Sequence, residues 1–205
     1  MQKIRLELEK HLAQFHESRP IMIGIDGLGG AGKTTITKQI ADELKRQQYE
    51  VLVIHLDDHI MAHSKRYDTG HEQWYEYYYL QWDVDRIIEE LFEPIHQHTS
   101  TITLTSYEQT SDTHVQQMKT VSRNCIVLIE GVFLQRIEWQ AYYDLTFFVD
   151  CPFEVRRERV LTRDRYIGHE QKILRKYEKR YWPAERYYCQ QINPHERADM
   201  LISSL

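Results

Sequence analysis

The sequence predicts an α/β fold in three layers: a five-stranded, mostly parallel sheet with helices on both faces. Three observations carry that expectation. Four short apolar runs, at 21–25, 51–54, 125–129 and 145–149, are too short for helices and are bounded by turn residues, as buried strands are. Segments of helical periodicity separate them, and strands that alternate with helices build parallel sheets covered on both sides. The first apolar run also feeds a glycine-rich turn at 27–32 that opens directly on a helical segment.

The elements follow in order. Ile4, Leu8, Leu12 and Phe15 recur at three- and four-residue spacing, which predicts an amphipathic helix over 2–17, with Pro20 beyond it. After the first strand and its turn, Ile36, Ile40, Ala41 and Leu44 place a helix at 34–48. The second strand ends at Asp57 and Asp58. Residues 59–82 have no clean period and are crowded with aromatics, among them Trp74, Tyr75, Tyr77, Tyr78, Tyr79 and Trp82. They read equally as a substrate-side insertion and as irregular packing over the core. Helical spacing resumes at 84–92. Alternating β-branched residues at 101–105, with 118–121, suggest a hairpin. The third strand ends in Glu130-Gly131 and the fourth in Asp150-Cys151-Pro152. Charged helices at 153–163 and 171–190 and a last strand at 198–202 complete the chain.

Composition bounds what such a fold can do. The chain is 41% hydrophobic and 28% charged, so a buried core is expected, and 205 residues suit one domain, 1–205, with a movable lid at about 160–175. A net charge of −5 argues against a general nucleic-acid binder. No apolar run reaches the roughly 18 residues of a membrane span, and the charged N-terminus lacks the apolar stretch of a signal peptide. Cys125, Cys151 and Cys189 are few, odd in number and unpaired in spacing, which fits buried thiols in a cytoplasmic protein. His55, His59 and His63 are spaced by four, but a strand through residue 55 keeps His55 and His59 off a common helical face. A transition-metal site is therefore not expected.

The segment Gly27-Leu28-Gly29-Gly30-Ala31-Gly32-Lys33-Thr34 matches G-x-x-x-x-G-K-[ST] throughout, followed by Thr35. Its glycines let backbone N–H groups turn inward toward phosphate oxygens, and the following helix aims its positive end at the anion. Lys33 supplies a point charge to the β- and γ-phosphates, and the Thr34 hydroxyl suits Mg²⁺. The expected ligands are ATP and Mg²⁺, held by Gly27, Gly29, Gly30, Ala31, Gly32, Lys33, Thr34 and Thr35 in a P-loop fold. A second metal contact requires a carboxylate at a neighbouring strand end, and local pattern leaves Glu130 and Asp150 equal. Asp57 or Asp58, at the carboxyl edge of the sheet, could accept a proton from a substrate hydroxyl. No N-K-x-D guanine motif, transport-ATPase signature or protein-kinase motif set is present.

Arg156, Arg157, Arg159, Arg163 and Arg165 fall within ten residues, followed by Lys172, Arg175, Lys176, Lys179 and Arg180. Arginines near 159–165 are expected to face a transferring phosphoryl group. Most of the others are expected to face water, paired along the helices with Glu158, Glu170 and Glu178.

These segments together resemble the uridine kinase and phosphoribulokinase family of P-loop kinases over about 20–202. The resemblance rests on GLGGAGKTT, VLVIHLDD, LTSYEQ, IVLIEGVF, FFVDCPFEVRRERVLTRD and WPAERYYC…ADMLI, in that order. It implies a kinase of a small-molecule hydroxyl, with a nucleoside as first-choice acceptor, and a dimer or tetramer. By resemblance Glu130 rather than Asp150 positions Mg²⁺, and Asp57 is the base and a further metal contact through water. Arg159 and Arg163 are then catalytic lid arginines, and Tyr107 is a substrate contact.

The chain departs from the family on the acceptor side. Tyr107-Glu108-Gln109 replaces Y-D-F, and Ile167-Gly168-His169 replaces the glycine–arginine pair after the lid. Tyr78-Tyr79-Leu80-Gln81 replaces F-D-H-P, so the aspartate that would hold ribose hydroxyls is absent there. Pantothenate, nicotinamide riboside and sugar phosphates are alternative acceptors. A P-loop ATPase or nucleotide switch without an acceptor is the alternative of another class.

Overall fold

The computed structural model describes residues 2–204. Helix α1 (Gln2–Gln14) precedes β1 (Ile21–Asp26), α2 (Lys33–Arg46) and β2 (Val51–His55). Short helices α3 (His63–Arg66) and α4 (Gln73–Tyr79) follow. Then α5 (Val84–Ile87) continues through a π-helical turn at Ile88–Phe92 into α6 (Glu93–His96). Strands β3 (Thr101–Glu108), β4 (Thr113–Thr120), β5 (Ile126–Glu130) and β6 (Leu145–Asp150) lead to α7 (Phe153–Arg163) and α8 (Glu170–Lys176). A second π-helical turn, Tyr177–Tyr181, joins α8 to α9 (Trp182–Ile192); α10 (Pro194–Arg197) and β7 (Met200–Ser203) end the fold.

Five strands form one sheet in the order β2-β5-β1-β6-β7, and every neighbouring pair is parallel. The expected five strands are present, and the sheet expected to be mostly parallel is parallel throughout. The sheet's two faces are read directly off β1. Ile21, Ile23 and Ile25 point to the side covered by α1 and α2, where they meet Ile40, Leu44, Leu128 and Phe147. Met22 points to the other side, with Val127, Ile129, Phe133 and Tyr188. On that face Gly24 leaves room for the Tyr143 ring, whose Cδ1 would lie 3.0 Å from an added Cβ. Burial on both faces makes β1 and β5 unbroken apolar runs.

The aromatic segment resolves mainly into packing. Tyr78 and Trp82 are core residues, edge-on to Phe133, and Trp82 also meets Trp139 edge-on. Tyr77 rests edge-on against Phe133 and Tyr181 and reaches a cleft described below. The hairpin β3–β4 is longer than its apolar pattern, pairing Thr101 with Thr120 through to Glu108 with Thr113. Strand β4 is largely exposed, so no alternation marked residues 113–117. The hairpin's turn ends at Asp112 with φ 52°, a left-handed conformation that aspartate tolerates. The first helix stops three residues short of the expected 17, and the expected helix 171–190 is interrupted by its π-turn. Among the described residues no helix is long and apolar enough to cross a membrane.

Candidate active site

The glycine-rich loop joins β1 to α2 at the carboxyl edge of the sheet, where ligands bind in open α/β sheets. Gly30 and Gly32 have φ of 78° and 95°, and a Cβ on Gly30 would lie 2.9 Å from the Arg156 carbonyl oxygen. Only glycine meets both demands. Gly32 stands at the N-cap position of α2 with no side-chain cap, so no side chain competes for the helix's first N–H groups.

Two arginines of α7 hold the loop by its carbonyl side. Arg156 donates to the Gly29 oxygen at 3.1 Å and pairs with Glu185 at 2.9 Å. Arg159 donates to Ala31 O at 3.2 Å, Gly30 O at 3.4 Å and Ser204 Oγ at 3.1 Å. Its guanidinium thus lies behind the loop, and it is not among the cleft-lining residues. This differs from the expectation that Arg159 faces the nucleotide. Arg156 and Arg180 depart from a solvated helix face: they are 6% and 1% exposed and pair with Glu185 and Glu76. Burying a guanidinium requires such a partner.

Asp26 anchors the start of the loop from beneath. Fully buried, its carboxylate accepts from Gly27 N–H at 2.7 Å, Gln135 Nε2 at 3.1 Å and the Tyr188 hydroxyl at 2.5 Å. Burial pushes its pKa above the usual aspartate range, and these three donors oppose that rise.

Glu130 ends β5, in register with Ile25 of β1 and His55 of β2. That register brings its carboxylate beside the first turn of α2. Thr34 Oγ1 donates to Glu130 Oε2 at 3.1 Å, and His55 Nδ1–H donates to the same oxygen at 2.7 Å. Asp150, the other strand-end candidate, is exposed and lies 3.2 Å from His195 Nε2. Only Glu130 is therefore brought to Thr34. Thr35 is exposed in the first turn of α2.

A cleft of about 840 Å³ opens beside the loop. Gly29, Lys33, Asp57, Tyr107 and Arg163 all line it, so four separately inferred parts of the chain converge. Lys33 Nζ donates to Leu28 O at 3.3 Å, folded back along the loop. Asp57 lies in the 3₁₀ turn Leu56–His59 that follows β2, open to the cleft but walled by protein. Removal from bulk water raises its pKa above the usual aspartate range. Lys33 and Arg163 lower it, while Glu130 and Asp58 raise it. Tyr107 reaches the cleft from the hairpin tip, and its hydroxyl donates to Asp112 at 3.0 Å. Arg163, at the end of α7, donates through Nε to Asp164 at 2.7 Å and through Nη2 to the Tyr177 hydroxyl at 3.2 Å.

Several residues around the site were assigned no role in it from the sequence. Glu185 accepts from Gly29 N–H at 2.8 Å, which places a carboxylate from α9 against the loop. His55 orients Glu130, and Asp164 with Tyr177 holds Arg163. Glu185 and His55 act across 156 and 75 positions, which no local pattern spans, whereas Asp164 is the chain neighbour of Arg163. The Asp26–Tyr188 bond crosses 162 positions.

Comparison with known proteins shows the family. Residues 22–205 match the family described as phosphoribulokinase / uridine kinase. The uridine kinase of Limosilactobacillus reuteri is 25% identical over 150 residues, which cover 71% of this chain and 66% of that protein, just under two thirds of its length. The uridine kinase of Halalkalibacterium halodurans is 26% identical over 191 residues, covering 90% of this chain and 86% of that one. A solved structure of a possible uridine kinase from Bacillus stearothermophilus superposes with a TM-score of 0.77 at 35% identity, covering 96% and 99% of the two chains.

Proposed function

From the premise that the chain belongs to the phosphoribulokinase / uridine kinase family, we propose that it transfers the γ-phosphoryl group of ATP to a hydroxyl of a small-molecule acceptor. The single observation that supports this best is the shared cleft. Lys33 of the phosphate loop, the Asp57 carboxylate and the Arg163 guanidinium border one space large enough for a donor tail and an acceptor.

Loop amides and Lys33 bind the donor phosphates. Asp57 orients the acceptor hydroxyl and takes its proton as the oxygen bonds to the γ-phosphorus. The bond from that phosphorus to the β–γ bridging oxygen breaks, and ADP leaves. Arg163 turns from Asp164 and Tyr177 toward the developing charge, as a lid arginine does. Arg159 keeps the loop's carbonyls turned away, a positioning task. Closure of the lid over the cleft excludes water, which would otherwise accept the phosphoryl group.

The Thr34 hydroxyl and Glu130 carboxylate fit Mg²⁺: they are hard oxygen donors brought together at a helix N-terminus. Among the described residues Glu130 pairs with no lysine or arginine. When bound there, Mg²⁺ would neutralise charge on the phosphate oxygens.

The test is ADP release by the full chain across nucleosides, vitamins and sugar phosphates. Release that depends on one acceptor class supports the proposal. Absence of any acceptor-dependent release from folded protein favours an ATP-driven switch instead.

The raised pKa of Asp57 gives a pH expectation. A base works as the carboxylate, so kcat/KM should rise with pH through the Asp57 pKa. The acidic limb should lie above the ordinary aspartate value of about 3.9. A pH profile with its acidic limb at or below that value would remove Asp57 from the role.

A further inference from the structure

We infer that the acceptor carries an anionic group, a phosphate ester or a carboxylate, and that Arg66 and Lys176 bind it in the cleft away from the phosphate loop. This rests on the kinase reading above and gives it a substrate class.

Most of the charges that line the cleft already meet a partner. Among its acids, Glu185 is taken by Arg156 and Gly29 N–H, and Asp164 by Arg163 and the Tyr177 hydroxyl. Asp112 accepts from His63 N–H at 2.7 Å and from the Tyr107 hydroxyl. Asp57 and Asp58 sit at the end of β2. Among its cations, Lys33 lies against the phosphate loop and Arg163 against Asp164. Two cations are left, Arg66 and Lys176. Among the described residues neither has a carboxylate within the 4.0 Å of an ion pair.

Arg66 is the stronger feature. It is only 8% exposed, and a buried guanidinium without a direct ion-pair partner is costly; Asp112 feels its charge from beyond ion-pair distance. Its Nε donates to the Met61 carbonyl at 2.7 Å, which fixes the plane of the fork. Its Cζ lies 5.0 Å from the Tyr67 ring and 5.0 Å from the Tyr107 ring. Stacking on aromatic faces does not use up a guanidinium's in-plane N–H groups; those of Arg66 not taken by Met61 O or Tyr107 match the oxygens of phosphate or carboxylate.

Lys176 comes from α8, with Nζ 5.6 Å from the rings of Tyr67 and Tyr181. The two cations therefore share the Tyr67 ring from different elements. Arg180 lies beneath, 3.9 Å from the same ring, but its charge is matched by Glu76. The Tyr67 hydroxyl reports the same field. Burial pushes its pKa up, yet Arg180, Lys176 and Arg66 together bring it below the usual tyrosine value.

The neutral alternative lacks its receptor. At the stretch that departs from the ribose-binding pattern, Tyr78 is buried in the core and Gln81 accepts from Arg180 at 3.2 Å. Among the described residues, the stretch 78–81 supplies no carboxylate to hold a diol.

The experiment uses the full chain in two arms. In the first, ADP release is measured with ribose, ribose 5-phosphate, ribonate, uridine and uridine monophosphate. Turnover should favour the anionic members, and the ratio of kcat/KM between anionic and neutral members should fall by roughly ten- to a hundredfold in Arg66→Ala. Lys176→Glu should lower it further, and Arg66→Lys should restore part of it. Ribose 5-phosphate against ribonate separates the phosphate from the carboxylate source. Neutral members turned over as well as their anionic counterparts would overturn the inference.

In the second arm, inorganic phosphate is titrated into protein whose loop is filled by a non-hydrolysable ATP analogue. Lys176→Ala, at a half-buried site that folding tolerates, should weaken phosphate binding about tenfold. Equal binding by wild type, Lys176→Ala and Arg66→Ala would overturn the inference whether or not any acceptor is phosphorylated. Absence of turnover in the first arm with phosphate bound in the second would sink the kinase reading and leave the anion site standing.

Discussion

Asp57→Asn should lower acceptor-dependent ADP release by about 10²- to 10⁴-fold, the usual contribution of a positioned general base. The affinity for ATP should stay within about threefold of wild type, because asparagine keeps the side chain's shape and leaves the glycine loop untouched. The physical case is local. Asp57 lines the same cleft as Lys33 and Arg163, and on the proposed reading it meets the acceptor rather than the phosphates. Asparagine keeps the shape and cannot take a proton. Steady-state kinetics with calorimetric ATP titration separates the two quantities. Equal activity in the variant would remove the base assignment, and Asp58→Asn would then be the next variant to fail or pass. A matching loss in ATP affinity would mean instead that Asp57 serves the donor side, through the metal. The acidic limb of the pH profile should vanish in Asp57→Asn together with the rate.

Arg180→Ala should destabilise the fold by about 3–5 kcal/mol, the cost of removing one partner from a buried ion pair. At about 2–4 °C per kcal/mol for a chain of this size, melting should fall by roughly 6–20 °C. Arg180 is 1% exposed and Glu76 2%. The guanidinium donates to Glu76 Oε2 at 3.0 Å, to Arg66 O at 2.9 Å and to Gln81 Oε1 at 3.2 Å, so it ties three segments to α9's leading turn. Glu76 Oε1 accepts from Thr69 N–H and Oγ1, both at 2.9 Å, which leaves the carboxylate charged and half-satisfied once Arg180 is gone. Thermal and urea unfolding measure the loss. The double variant Arg180→Met with Glu76→Leu should recover part of it, since replacing both charges by apolar groups removes the stranded carboxylate. A single variant as stable as wild type would show that this pair contributes nothing net.

The sequence was most readable where chemistry is carried by neighbours in the chain. The glycine loop, its lysine and its threonine are consecutive, and their meaning follows from backbone geometry that spacing alone reveals. Asp57 and Glu130 were legible as strand ends, because an apolar run that stops at a carboxylate on the carboxyl edge of a parallel sheet faces the ligand side. The all-parallel order of the five strands follows less directly, since apolar runs carry no record of which neighbour they pair with. Register decided between Glu130 and Asp150: alignment of β5 beside β1 puts Glu130 against Thr34, while Asp150 is left on the surface with His195.

The arginine-rich stretch shows where the reading ended. Its charge was visible, but the destination of each guanidinium was not. Arg156 and Arg159 bind loop carbonyls, Arg163 enters the cleft, and Arg180 is sealed in the interior. Helical spacing assigns a face to each, yet which face meets carboxylate, carbonyl or water depends on elements up to 129 positions away. Arg66 lay in a segment with no motif and Lys176 in a basic run that looked solvated; what tertiary folding adds is that both line the cleft without a carboxylate at ion-pair distance.

By itself, then, the sequence determined that a nucleoside triphosphate loop joins a buried strand to a helix in an α/β sheet, because periodicity and glycine placement are local properties. Tertiary structure decided which charges are neutralised and which stay available to a ligand, because burial penalises every unpaired charge and the partners that relieve it come from distant parts of the chain.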